Sequence, residues 1–413
     1  MKKIYLLILG ILFLIGGYYW WSSSGRYSPL PQTTISSDGV EVTYKNKEGV
    51  IHTAFANKGQ IKILVSPGAD SELINSIVSK NGGEIINQVT VAGIYLAQVP
   101  AGKEAEFITS LYKNEIIQSA FPAPVLINHV VIQIDDWIAD KTPVAYLGLG
   151  GRPNYSTLPS KPNGIFGLSD DSDEAIFHAK IVRYFLSGMK YDSDENKECL
   201  SQRRCIQMSS SDNSIKMLTA VTENADEEFV LFNLSLGTSE FNGRNKKLAF
   251  RDIQEKTKNE IFEYLNMLSP AKYIPALEKT FVVKSFGNAW EDLTGVFGDK
   301  RISKHGSLDR ILFVGAVDES GNIADYSNYS RNPMDVLYAP VKEKLKTGFL
   351  STKSLKGTSI AAPKIAYLVN KILEKYPELA KNPKLLRETL FDSRVAVKKR
   401  DKKKNYDGLL KDF

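Results

Sequence analysis

Residues 129–413 predict an α/β domain with three layers around a mostly parallel sheet, and residues 59–122 predict a small βαββαβ domain in front of it. In the larger region, short apolar runs alternate with helical segments: "HVVIQIDDW", "RCIQMSS", "EEFVLFNLSLG", "KTFVVKSFGN" and "RILFVGAVD". That alternation is the mark of a parallel sheet covered on both faces. Upstream, "QIKILVS", "ADSELINSIVSKNG", "GEIINQVTV", "IYLAQVP", "KEAEFITSLYKN" and "EIIQSAF" read as strand, helix, strand, strand, helix and strand. This is a split βαβ, ferredoxin-like order that puts both helices on one sheet face. With 413 residues, the chain has ample core for two or three such units.

The first 25 residues form a separate element. Lys2 and Lys3 precede an apolar run from Ile4 to Trp21, followed by small polar residues. This is a signal peptide or a transmembrane anchor. With the lysines held in the cytoplasm, the remainder is exported and faces the periplasm or cell surface of a bacterium. The length of the run and its "YYWW" belt favour an uncleaved anchor, and cleavage after the serines would instead give a secreted protein. No cysteine follows the run, which excludes a bacterial lipoprotein anchor. Residues 26–58 are polar with little periodicity and read as a linker with room for one short hairpin.

Composition narrows the function classes. The net charge of +6 is small, and "VAVKKRDKKKNYDG" supplies much of it as a solvated tail, so no nucleic-acid signature is present. The two cysteines, Cys199 and Cys205, are too few for a zinc site of the usual kind. They either close a small disulfide loop in an exported protein, or Cys205 is a buried strand residue. Residues 186–204 and 239–276 read as insertions that border a cleft.

Ligands of parallel-sheet domains bind at the carboxyl ends of strands, so Asp135, Asn233, Ser235, Asn288 and Asp318, which close the apolar runs, are the first places to look for chemistry. A second signal is "LKGTSIAAPKIAYLV", where Pro363 stands inside a helical pattern. Proline is tolerated where the backbone N–H lacks a partner, which predicts Pro363 in the first turn and a helix start close to Ser359. A serine there is a plain N-cap or a nucleophile at a positively polarised helix end. A nucleophilic serine needs a base, and the chain has four histidines. His52 falls in the linker and His129 opens a strand, which predicts surface positions for both, while His305 reads as a loop residue. His178 lies near the start of an amphipathic helix, as a packed histidine or as the base.

These residues resemble the subtilisin family of serine peptidases. "GTSIAAP" matches the family's Gly-Thr-Ser-x-Ala-Ala-Pro, so the resemblance makes Ser359 the nucleophile. "VIQIDDWI" resembles the strand ending in Asp-Thr-Gly and assigns Asp135 as the carboxylate that orients the base. "FHAKIV" falls where the family has His-Gly-Thr and assigns His178 as the base. "FVVKSFGNAW" resembles the strand ending in Gly-Asn, which implies that Asn288 stabilises the oxyanion. "LFNLSLG" is similar to the strand that binds peptide through the backbone of Ser235, Leu236 and Gly237. The order Asp, His, Ser is the family's own. The resemblance covers roughly residues 129–410 and implies a subtilisin-like three-layer sandwich, with the βαββαβ domain similar to the family's propeptide.

The departures are Asp135-Asp136-Trp137 for Asp-Thr-Gly and His178-Ala179-Lys180 for His-Gly-Thr. Only "FPAPVLINHV" separates the small domain from the strand of Asp135, which leaves little chain for a cut end to withdraw and predicts a small domain that stays docked in cis. The resemblance implies a membrane-tethered endopeptidase acting on a peptide or protein substrate. The alternative is a degenerate relative that binds peptides without cutting them. A Ser-Lys dyad on Lys356 or Lys364 is a weaker competitor, because it leaves His178 and Asp135 without purpose. No cofactor is implied. Calcium, which many relatives bind, has no clear carboxylate loop here, and "KYDSDENKE" reads as solvated.

Overall fold

The computed structural model describes residues 39–124, 132–134, 164–168, 182, 205–207, 213–223, 225, 229–235, 248–272, 274–318, 320–332, 335–341, 343–346, 352–392, 394–398 and 405–410. The first of these form a hairpin of β1 (Gly39–Lys45) and β2 (Ile51–Val65), with Gly39 opposite Asn57. Gly49, at φ +79°, makes the turn, and its N–H meets the Asn46 carbonyl at 3.0 Å. The linker expected over 26–58 is thus ordered strand from residue 39 onward. Val42 and Tyr44 are buried while Glu41 and Thr43 are exposed, so the one hairpin for which the sequence left room is half-buried and longer than a short linker turn.

β2 runs on as a central strand of the small domain. It is followed by α1 (Ser71–Lys80), β3 (Glu84–Val89), β4 (Ile94–Gln98), α2 (Glu104–Leu111) and β5 (Ile117–Pro124). β4 and β5 both pair antiparallel with β2, and β3 lies outside β4, which is the ferredoxin-like order. Asp70 caps α1 by accepting the Glu72 N–H at 2.9 Å. The helix buries Ile74, Ile77 and Val78, and α2 buries Phe107, Ile108 and Leu111.

Further along come β6 (Ile132–Ile134), β7 (Gly164–Leu168), β8 (Cys205–Gln207), α3 (Asn213–Glu223), β9 (Val230–Leu234), α4 (Phe250–Leu268), β10 (Thr280–Ser285), β11 (Ile311–Val317), β12 (Val336–Pro340), β13 (Glu343–Lys346), β14 (Thr352–Leu355), α5 (Thr358–Lys375), α6 (Pro383–Asp392), β15 (Arg394–Lys398) and β16 (Asn405–Leu410). Among the described residues the large sheet runs β15-β16-β12-β11-β10-β9-β7-β8, parallel except between β15 and β16. Side-chain alternation makes the layers. Val230, Phe232 and Leu234 join a core with Ile253, Ile261 and Leu265 of α4, whereas Leu231, Phe281 and Val283 join Ile360, Ile365 and Val369 of α5.

One strand departs from expectation. β6, read from the sequence as part of the parallel sheet, pairs antiparallel with β14, placing Ile132 opposite Leu355. The reason is that β9 has two edges, and β10 and β7 occupy them.

The stretch 239–276 also departs, because it holds the nineteen-residue α4 that carries the small domain. The open face of the small sheet lies on α4 through polar groups. Lys62 Nζ meets Glu263 Oε1 at 2.5 Å, and Ser214 donates to the same oxygen. Ser119 donates to Asn259 at 3.0 Å, and Asn266 donates to the Val65 carbonyl at 3.2 Å. His52, expected at the surface, is 4% exposed with Nδ1 3.2 Å from Asp252 Oδ1. Removing one member of a buried ion pair such as Lys62–Glu263 leaves an unpaired charge and costs about 3–5 kcal/mol. Among the described residues no helix is long and apolar enough to cross a membrane, and the apolar run Ile4 to Trp21 lies outside them.

Pro363 is the sixth residue of α5, in its second turn and not the first. The N–H that it lacks would have bonded the Ser359 carbonyl four residues back. A side chain replaces that donor. Ser235 Oγ donates to the Ser359 carbonyl at 2.9 Å and itself accepts from Asn233 Nδ2 at 2.9 Å. Ser235→Ala should therefore lower stability by about 1–3 kcal/mol in urea unfolding. Adding Pro363→Ala, which restores the helical N–H, should return much of that loss, and a double variant no steadier than Ser235→Ala would refute the account.

His305 is held by a different set of bonds. Its Nδ1 accepts the Ser307 N–H at 3.3 Å, so the ring proton sits on Nε2 and points to Ser269 Oγ at 3.3 Å, whose own proton goes to the Leu265 carbonyl. Burial pushes this imidazole below the usual histidine range. On acidification the unfolded chain therefore takes up the proton first, and the contribution, complete above about pH 6.5, is lost as pH falls below it. Unfolding free energies measured between pH 7 and 5 should decline, and His305→Gln should make the decline shallower.

Candidate active site

The chain turns sharply at Gly357, whose φ of +134° favours glycine, and α5 starts at the next residue. A Cβ on Gly357 would stand 3.2 Å from Ser359 Oγ and 3.7 Å from Asn288 Nδ2. The hydroxyl and the amide nitrogen thus border one small space that a side chain at residue 357 would fill.

The orientation of Asn288 follows from its other end. Its Oδ1 accepts the Thr358 N–H at 2.9 Å and the Thr358 hydroxyl at 3.0 Å, while Thr358 Oγ1 accepts the Gly287 N–H at 3.2 Å. Only the carbonyl oxygen can accept from a backbone N–H, so the amide cannot be reversed, and the NH2 faces the space beside Ser359. Asn288 thereby caps α5 from outside, where Gly357 has no side chain to do so. The loop that carries Asn288 has Gly287 at φ +102° and Trp290 at φ +52°. The Tyr326 carbonyl accepts the Trp290 N–H at 3.0 Å, and burial pushes the Tyr326 phenol up to about 12.

Of the residues expected from the sequence, Ser359, Asn288 and Ser235 come together in this way. Leu236, Gly237, Asp135 and His178 lie outside the described residues, as do His129 and Cys199. Val182, four residues after His178, is buried in the same apolar cluster as Ile360 and Ala361, the neighbours of Ser359. His52 and His305 are engaged at Asp252 and at Ser269. Lys364 donates to the Pro340 carbonyl at 2.9 Å, which weighs against a dyad built on it. Asp318 closes its own turn by accepting the Ser320 and Asn322 N–H groups, each at 2.9 Å. Among the described residues no group of three or more His, Cys, Asp or Glu could hold a metal ion.

Sequence reasoning missed two residues that shape the site, Thr358 and Asn328. Thr358 stood in plain view inside "GTS". Asn328 is 0% exposed and closes its side chain onto the backbone around Asn288. No signal local to "DYSNYS" marks Asn328 in the sequence.

The family model described as the Subtilase family matches residues 200–411. No curated protein matches the chain. Among solved structures, the epidermin leader peptide processing serine protease EpiP from Staphylococcus aureus is 14% identical, with 86% of this chain and 96% of that one covered and a TM-score of 0.43. A cold adapted subtilisin-like serine proteinase is 18% identical, with 51% and 65% covered and a TM-score of 0.31. The nisin leader peptidase NisP from Lactococcus lactis is 22% identical, with 45% and 58% covered and a TM-score of 0.28. The chain thus spans less than two thirds of the length of the latter two. The match over more than half of its residues establishes that this chain belongs to the subtilase family.

Proposed function

We propose that this subtilase is a serine endopeptidase that uses Ser359 as nucleophile, His178 as general base and Asp135 as the carboxylate that orients the base. The observation that carries the reading is the approach of Ser359 Oγ and Asn288 Nδ2 to one point beside Gly357. Ser359 Oγ attacks a peptide carbonyl while His178 takes its proton. The oxyanion is met by the Asn288 amide and the Ser359 N–H at the positive end of α5, and His178 then protonates the departing amine. Water repeats the sequence on the acyl-enzyme and frees Ser359. The backbone of Ser235, Leu236 and Gly237 pairs with the peptide. His52 and His305 being engaged elsewhere supports His178 as base, and so does the burial of Val182 in the apolar cluster that holds Ile360.

One observation favours a second source of the carboxylate. β7 lies beside β9 in the large sheet, and the sequence after its carboxyl end is Ser169-Asp170-Asp171, whereas β6 runs away from the Leu355 end of β14. In parallel sheets the carboxyl ends of neighbouring strands form the binding crevice.

The proposal extends to placement. Residues 1–25 hold the enzyme at the outer face of the membrane, and the small domain stays docked in cis, a reading supported by the buried Lys62–Glu263 pair and the continuous core beneath it.

The test is labelling of the folded chain by a fluorophosphonate, which bonds its phosphorus to the serine oxygen and releases fluoride. Labelling should vanish in Ser359→Ala and slow by about 10²–10³-fold in Asn288→Ala. It should fail in His178→Ala and fall in Asp135→Asn. A loss confined to Asp170→Asn or Asp171→Asn would transfer the carboxylate role to that residue. Folded protein that resists the label altogether would instead indicate a peptide-binding relative without activity.

A further inference from the structure

Asn288 sits on a loop that would not hold its shape unaided. Between Phe286 and Leu293 the chain leaves β10, passes through Gly287 at φ +102° and Trp290 at φ +52°, and makes no regular ladder. Trp290 is the only described residue other than glycine with a positive φ, a conformation that persists where surrounding bonds over-determine it.

Those bonds come largely from one side chain. Asn328 Nδ2 donates to the Phe286 carbonyl at 3.0 Å, and Asn328 Oδ1 accepts the Ala289 N–H at 2.9 Å and the Glu291 N–H at 3.1 Å. Its own N–H donates to the Gly287 carbonyl at 3.0 Å. The contacts fall on both sides of Asn288 and none falls on Asn288 itself. The clamp is anchored in turn. The Ala316 N–H of β11 donates to Ser327 Oγ at 3.0 Å, and Ser327 Oγ donates to the Asn328 carbonyl at 2.9 Å. A chain of hydrogen bonds therefore runs from the parallel sheet through Ser327 and Asn328 to the backbone flanking the amide that faces Ser359.

No other side chain of this size serves. Aspartate keeps the shape and the acceptor, but it cannot donate to the Phe286 carbonyl and would place a charge at a fully buried position. Leucine would leave the Phe286 carbonyl and the two N–H groups without this partner.

We propose that Asn328 is a positioning residue for catalysis: it fixes the Phe286–Glu291 backbone so that the Asn288 amide stays aimed at the oxyanion site. This rests on the reading of Asn288 as an oxyanion donor. Asn328 touches neither substrate nor the reacting atoms, and it acts entirely through residue 288.

The test is a double-mutant cycle on the full-length chain, read as the maximal rate and the half-saturating concentration of fluorophosphonate labelling. Asn328→Ala should lower the maximal rate by about 10- to 100-fold while half-saturation stays within about 2-fold, because a displaced donor weakens the transition state and not the encounter. In an Asn288→Ala background the same substitution should cost less than about 3-fold, since the group it positions is gone. A loss of packing alone would lower the thermal midpoint and slow both backgrounds equally. Asn328→Asp is the second variant, which keeps side-chain volume and is read in the same way should the alanine chain not fold. If Asn288→Ala slows labelling but the two effects multiply, Asn328 has no positioning role and the oxyanion assignment stands. If Asn288→Ala labels at the parental rate, the oxyanion assignment fails and this inference fails with it.

Discussion

The direction of one amide group governs the site. Asn288 has two ends of opposite character, and the two Thr358 donors take its oxygen, so its NH2 has nowhere to face but the space beside Ser359. The same bonds bind two distant pieces of chain, the exit of β10 and the first residue of α5. Helix start and proposed oxyanion donor are therefore one structure. A change that loosens the cap on α5 also misdirects the amide, and the parallel sheet reaches both through β10 and β11.

The seam between the small domain and α4 inverts the usual use of an amphipathic helix. Asp252, Glu255, Asn259, Glu263 and Asn266 recur at three- and four-residue spacing, which makes a single polar stripe, and all five are buried. The apolar side of α4, with Ile253, Ile261, Leu265 and Leu268, faces the large sheet. The polar stripe meets Lys62, Ser119, His52 and the Val65 carbonyl of the small domain. Charges buried in this way gain their stability from pairing, so the two units are matched group by group and not merely pressed together by apolar area.

This inversion also explains what the sequence did and did not disclose. A polar stripe normally marks solvent, so α4 read as part of an insertion, and the hairpin of His52 read as linker because its outward residues are polar. Candidate positions were legible where a motif singled them out, and the structure brings two of these, Ser359 and Asn288, to one space. They were not legible where the partner was remote, since nothing local to "DYSNYS" says that Asn328 closes on a loop some forty residues earlier. Strand assignment from apolar runs found β9, β10 and β11, which are buried on both faces. It misplaced "VIQI", because a three-residue strand carries no information about which edge it will join. Pro363 was recognised as an exception to helix rules, but the donor that makes it tolerable, Ser235, lies 124 residues before the Ser359 carbonyl it serves, and only folding brings it near.

The chemistry of the cap matters as much as its geometry. A carboxylate at residue 288 would accept the Thr358 N–H more strongly than an amide does. It would also neutralise the positive end of α5 and place negative charge where the proposed reaction would develop its own. The first turn of α5 contains no acidic residue, and its outside cap is a neutral amide, so the helix end keeps its positive character. Ser235 obeys the same logic at the Ser359 carbonyl, because a hydroxyl supplies the missing donor without adding a charge beside the Ser359 hydroxyl. Every group that holds the start of α5, namely Asn288, the Thr358 hydroxyl and Ser235, is uncharged. A site proposed to meet a transient anion works best when its scaffold brings no permanent negative charge beside it.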